Sequence, residues 1–99
     1  MPTPSHDQEF WEAAGRRLKA ARLAAGETSV RGFAKKLSVT HVAVLHWEKG
    51  DRGINDPRIW GVLRAELGIT LDWLFNGDAS GMTKQVIDAI KKVDPDIGF

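Results

Sequence analysis

Cysteine and tyrosine are both absent from the 99 residues. Without cysteine there is no disulfide, no thiolate nucleophile and no cysteine-based zinc motif. No apolar run approaches the roughly 20 residues that a membrane-spanning helix needs. The opening stretch MPTPSHDQEF lacks the basic start and apolar core of a signal peptide. The expected location is therefore the cytoplasm, with no membrane partner. There is no Gly-rich phosphate loop, no metal-ligand spacing and no nucleophile beside a base, so neither enzymatic activity nor a cofactor is expected. An excess of one charge is missing as well. Fourteen Lys and Arg oppose 13 Asp and Glu, a formal charge of +1, which taken alone argues against a nucleic-acid partner.

What remains is the material of one folded domain, with 42% hydrophobic and 27% charged residues, ordinary globular values. No stretch alternates with period two for long enough to make a strand, so the chain is expected to be all-α. Ser5 and Gln8 match a capping box. Phe10, Ala14, Leu18, Ala21 and Ala25 follow at helical spacing, and Gly26 closes this first helix. Ser29 is the next cap candidate, ahead of a short helix whose apolar face is Phe33, Ala34 and Leu37. Thr40 can cap a third helix carrying Val44 and Trp47 inward and ending at Gly50. Asp56-Pro57 opens a fourth, with Ile59, Val62, Leu63 and Leu67 as its stripe. Thr70 to Phe75 reads as a short fifth helix before Asn76-Gly77. A final amphipathic stretch carries Met82, Val86, Ile90 and Val93. Trp47 and Trp73 are expected in the core; of Trp11 and Trp60, one is a candidate interface residue.

The segment from Ser29 to Gly50, SVRGFAKKLSVTHVAVLHWEKG, joins two short helices by a turn of a few residues. A small Ala34 sits where the helices must approach, and Val39 fills the corner. This is the spacing of a helix-turn-helix, whose second helix is held out to enter a DNA major groove. Here the chain resembles the phage-repressor-like, or xenobiotic-response-element type, helix-turn-helix family. RLKAARLAAG resembles the family's first helix, GFAKKLSVT its second helix and turn, HWEKG the end of its recognition helix, and ELGITLDWLFNGD its closing helix.

The resemblance covers about residues 10–78, with an arm and helix start at 1–9 and a C-terminal helix and tail at 79–99. It implies a five-helix domain, ahead of the separate C-terminal amphipathic helix, that binds double-stranded DNA as a homodimer and regulates transcription as a repressor. Thr40, His41, Val42 and Leu45 would then face the groove. Ser29, Val30 and Arg31 would stand where family members contact phosphate, and Lys49 and Arg52 would meet the backbone. Arg22 and Glu48 correspond to an ion pair that braces the first helix against the recognition helix.

The chain departs from the family at several places. Val30 replaces a common Gln, and Ser38 stands where the turn usually has Gly, so it must accept an unfavourable backbone or shift the turn. The loop from Gly26 to Ser29 is one residue longer than usual. Val42 and Leu45 put aliphatic side chains where polar readers are common. Such groups can touch a thymine methyl but cannot make the bidentate hydrogen bonds that select guanine or adenine. The alternative is therefore an interaction module, antitoxin-like or adaptor, whose partner on this helix is a protein. His41 and His46, five apart, do not share a helical face as metal ligands do. Lys35 and Lys36 are either phosphate contacts or a solvated face. The stripe through Val86 and Ile90 either docks on the domain or pairs with a second copy, and the second is slightly favoured.

The +1 total conceals an asymmetry. Residues 16–52 carry nine basic side chains and three acidic ones, whereas the rest of the chain carries five and ten. A basic half balanced by an acidic remainder fits a nucleic-acid partner better than the total does.

Overall fold

Among the described residues, a capping side chain opens each helix after the first. The computed structural model describes residues 4–99, with side chains from Gln8 onward. Its helices are α1 (Pro4–Ala24), α2 (Val30–Leu37), α3 (His41–Lys49), α4 (Pro57–Leu67), α5 (Leu71–Asn76) and α6 (Lys84–Val93), and there is no strand among the described residues. Ser29, Thr40, Asp56, Thr70 and Thr83 each accept a backbone N–H from the first turn of α2 to α6, respectively. Such caps satisfy donors that the helix itself leaves orphaned. The first three are the caps the sequence indicates. Thr70 stands before α5 rather than in it, and α6 starts two residues after Met82. Helix α1 already includes Ser5, which is thus not the residue preceding the helix. The capping-box side chain of Ser5 and the arm 1–3 lie outside the described residues.

Every helix contributes to one core. Leu18, Phe33, Val44, Leu63, Trp73, Leu74 and Ile90 are its largest fully buried side chains. Three residues expected on the inward face stand elsewhere. Phe10 is 40% exposed and sets its ring against those of Trp11 and Phe75, at centroid distances of 4.9 and 5.9 Å. Trp47 is half-buried against the core rather than within it. Ala25 lies past the end of α1 and is exposed.

Helices α1 and α3 meet backbone to backbone. A Cβ on Gly15 would lie 2.6 Å from the carbonyl oxygen of Glu48 and closer still to that of Trp47. Gly50, the left-handed cap of α3, faces the Glu12 backbone in the same way. The turn between α2 and α3 holds Ser38 at φ 57° and ψ 41°, so the serine accepts the left-handed backbone that a glycine would take without strain. Its N–H is satisfied by the carbonyls of Ala34 and Lys35.

Helix α6 docks on α1. Ile90 is fully buried in the chain's own core, and Val86 packs against Gly68. The stripe expected to favour a second copy is thus largely engaged within one chain; only Val93, 40% exposed, stands out of it. Arg16 grips Asp94 with two hydrogen bonds of 2.8 Å, Ile97 is buried, and the Phe99 ring stacks on Trp73 at 5.6 Å.

Two measurements test this architecture. Gly15→Ala is expected to lower unfolding free energy by about 1–3 kcal/mol despite the helix propensity of alanine, because backbone must move to admit the methyl. Gly61→Ala, on the exposed face of α4 with nothing near its Cβ position, is expected to raise it by about 0.5–1 kcal/mol. Urea titration of both variants distinguishes crowding from propensity. The second test concerns Asp94, whose carboxyl the Arg16 hydrogen bonds hold below its ordinary range. Its contribution is complete above about pH 4 and disappears as pH falls through the lower folded-state value. Asp94→Asn is therefore expected to be less stable than the parent chain at pH 7, with the difference shrinking as pH falls below the ordinary aspartate range, as read by denaturant midpoints.

Candidate nucleic-acid interface

Helix α3 has two unlike faces. At about 3.6 residues per turn, Val42, Leu45 and Lys49 share one side, and Val44, Trp47 and Glu48 share the other. Val44 is fully buried, whereas Val42 and Leu45 are 48% and 39% exposed. Lys49 and Arg52 are exposed at the C-terminal end, Thr40 at the N-terminal end, and His41 is half-buried beside it. Ser29 and Arg31 are exposed at the start of α2 and Val30 is half-buried. The Ser29 hydroxyl accepts the Gly32 N–H at 3.1 Å, leaving further first-turn N–H groups of the kind that bind anions.

The inner side of α3 is held by an ion pair. Arg22 on α1 donates to both carboxylate oxygens of Glu48, from Nε at 2.7 Å and from Nη2 at 3.2 Å. Its remaining arm donates to the Glu27 carbonyl at 2.7 Å, so one guanidinium ties together α1, the loop after it and α3. The two side chains are only 4% and 7% exposed. The pair implied by the family resemblance is present, and it neutralises a carboxylate that would otherwise lie unpaired behind the outward face.

Electrostatics around this face follow from which charges already have partners. Lys36 pairs with Glu27, and His46 Nδ1 lies 3.2 Å from Asp51. Arg16 is joined to Asp94, and Arg17 donates to the Leu74 carbonyl at 3.0 Å, with burial lowering its pKa. Among the described residues Lys19, Arg31, Lys35, Lys49 and Arg52 have no ion pair. Lys35 and Lys36, alike in sequence, therefore differ in role: only Lys35 is free. Trp60 donates its indole N–H to the Ile54 carbonyl at 2.8 Å, and Trp11 packs its ring against Gly53. Both tryptophans thus hold the segment that follows α3.

Gly15 and Arg17 were not among the expected functional residues. The first had a readable signal, since glycine inside a helical pattern is costly unless packing requires it. The second had none, because its carbonyl partner is 57 residues away. Among the described residues no cluster of three or more His, Asp or Glu could hold a metal ion, and no helix is long and apolar enough to cross a membrane. Comparison with family models, curated proteins and solved structures finds no match to this chain.

The bridge between α1 and α3 has a measurable signature. Arg22→Met is expected to cost about 3–5 kcal/mol of unfolding free energy, because it leaves Glu48 buried and uncompensated. The double variant Arg22→Met/Glu48→Leu is expected to recover a large part of that loss. A double-mutant cycle by chemical denaturation reads the coupling directly.

Proposed function

We propose that the chain is a sequence-specific, double-stranded-DNA-binding transcriptional regulator of the repressor-like helix-turn-helix type, acting as a homodimer. One observation supports it above the others. Helix α3 is fixed from behind by Val44 and the Arg22–Glu48 pair while its opposite face stands open, and the exposed cations Arg31 and Lys35 on α2, Lys49 on α3 and Arg52 just after it have no ion pair among the described residues. In this proposal α3 enters the major groove. Arg31, Lys49 and Arg52 neutralise phosphates, with Ser29 and the start of α2 adding hydrogen bonds. Thr40 and His41 are the polar readers, and Val42 and Leu45 contact thymine methyls. Repression would follow from occupying a site that polymerase needs.

The exposure of Val42 and Leu45 also favours a second reading, in which the same face of α3 binds a protein as an antitoxin-like or adaptor module. Salt separates the two. Phosphate-driven binding weakens steeply with salt, whereas an apolar complex does not.

Selection of the purified chain on random duplex DNA is expected to enrich a two-fold-symmetric motif rich in thymine contacts. No enrichment would overturn the sequence-specific reading. Lys49→Ala is expected to weaken binding to all sequences about equally and to reduce the slope of log K against log salt by about 0.9 per protomer, roughly 2 for the dimer. Leu45→Ala is expected to relax the preference at one position and leave that slope unchanged.

A further inference from the structure

On the side of the molecule formed by α4 and α5 lies an open groove of about 410 Å³. Trp60, Leu63 and Leu74 are among its lining residues, and no residue of α2 or α3 contributes to it. Leu71, which also lines it, is 38% exposed, although Trp73 and Leu74 on the same short helix are completely buried. Arg64, in the last turn of α4, and Asp72, in the first turn of α5, are also part of the lining. Both are exposed, and neither has an ion-pair partner among the described residues. Each charge sits at the helix end its sign favours. That accounts for the two charges separately, but not for an exposed leucine lining the same groove.

We infer that this groove is the face on which a second copy of the chain docks. Leu71 of each copy enters the groove of the other, and Arg64 of each copy pairs with Asp72 of the other. A two-fold interface must be complementary to itself, so that a residue contacting another is contacted by the same residue in return. A surface carrying a projecting apolar group, a groove, one free cation and one free anion meets that condition. An acidic or a basic partner would leave one of the two charges facing its own sign. The inference rests on the dimer of the preceding proposal, whose face it names, and it leaves α3 free.

The test is sedimentation of the full chain without DNA. The parent chain is expected to dimerise. Arg64→Asp and Asp72→Arg are each expected to raise the dimer Kd about tenfold or more, since both symmetric contacts then join like charges. An equimolar mixture of the two variants is expected to return to within about threefold of the parent, because each cross-contact again joins opposite charges. Both positions are on the surface, and circular dichroism is expected to be unchanged. A parent chain that stays monomeric at ~1 mM overturns the inference and leaves the face to an unlike protein. Single variants that dimerise like the parent overturn it too, as does a mixture no tighter than either variant alone. A monomer that still selects a DNA motif would remove this face and keep the DNA reading; a dimer that selects none would do the reverse.

Discussion

The crossing of α1 over α3 is the contact on which the remaining arrangement depends. It is made of backbone on backbone at Gly15 and Gly50, a contact that side-chain rearrangement cannot adjust. Beside it the Arg22 fork closes on Glu48 and reaches the Glu27 carbonyl. A buried ion pair adds little net stability over a well-packed apolar pair, but breaking one partner is costly. Its effect here is therefore directional: α3 has one rotation about its axis at which Glu48 meets Arg22 and Val44 enters the core. At that rotation Val42, Leu45 and Lys49 point away from the protein. The outward face is a consequence of what the inward face is bound to.

The same pairing explains why a chain of charge +1 presents a basic surface. Two of the three acidic side chains between residues 16 and 52 have cationic partners, Glu27 with Lys36 and Glu48 with Arg22, and the third, Asp51, lies beside the His46 imidazole. Among the described residues the cations of this segment without an ion pair are Arg17, bound to the Leu74 carbonyl, and Lys19, Arg31, Lys35, Lys49 and Arg52, which no longer face Glu27 or Glu48 as free carboxylates. Counting charges along the sequence overstates the number of available cations, since Arg16, Arg17 and Arg22 hold α6, α5 and α3 in place. It also overstates the available anions, and the second error is the larger in consequence, because a single unpaired carboxylate on the face would repel phosphate.

Much of this fold can be read along the chain because capping and apolar periodicity are local. Ser29, Thr40 and Asp56 cap the helices that follow them, and Phe33, Leu63 and Trp73 are buried on the stripes they mark. Periodicity reports only which residues share a face, not where the neighbouring element ends. Phe10 continues the α1 stripe but is left exposed, and Trp47 is turned inward yet left half covered. Contacts between distant residues carry no local mark. Arg16 and Asp94 are 78 residues apart, and nothing near either position indicates that α6 closes on α1. The Arg22–Glu48 pair was legible only through family resemblance. At Ser38 the sequence left two outcomes open, a left-handed serine or a shifted turn, and the first is what the backbone adopts.

Rigidity behind α3 bears on how the outward face can discriminate among partners. Promiscuous surfaces work by repacking flexible side chains, with methionine and mobile loops doing most of it. Val42 is β-branched and stiff about χ1, Leu45 has few rotamers, and the helix under them is held by the Gly15 contact and the Arg22 fork. Such a face is suited to one apolar shape rather than many. On the DNA reading that shape is a run of thymine methyls in a groove whose phosphates Arg31, Lys49 and Arg52 straddle, so discrimination would come from methyl position and groove geometry more than from hydrogen bonding. On the protein reading it would be a small apolar ridge. Both have a narrow apolar centre, and only the DNA reading requires a negative rim around it. What divides them is how much of the binding free energy comes from the rim, a quantity set by the free cations and therefore sensitive to salt.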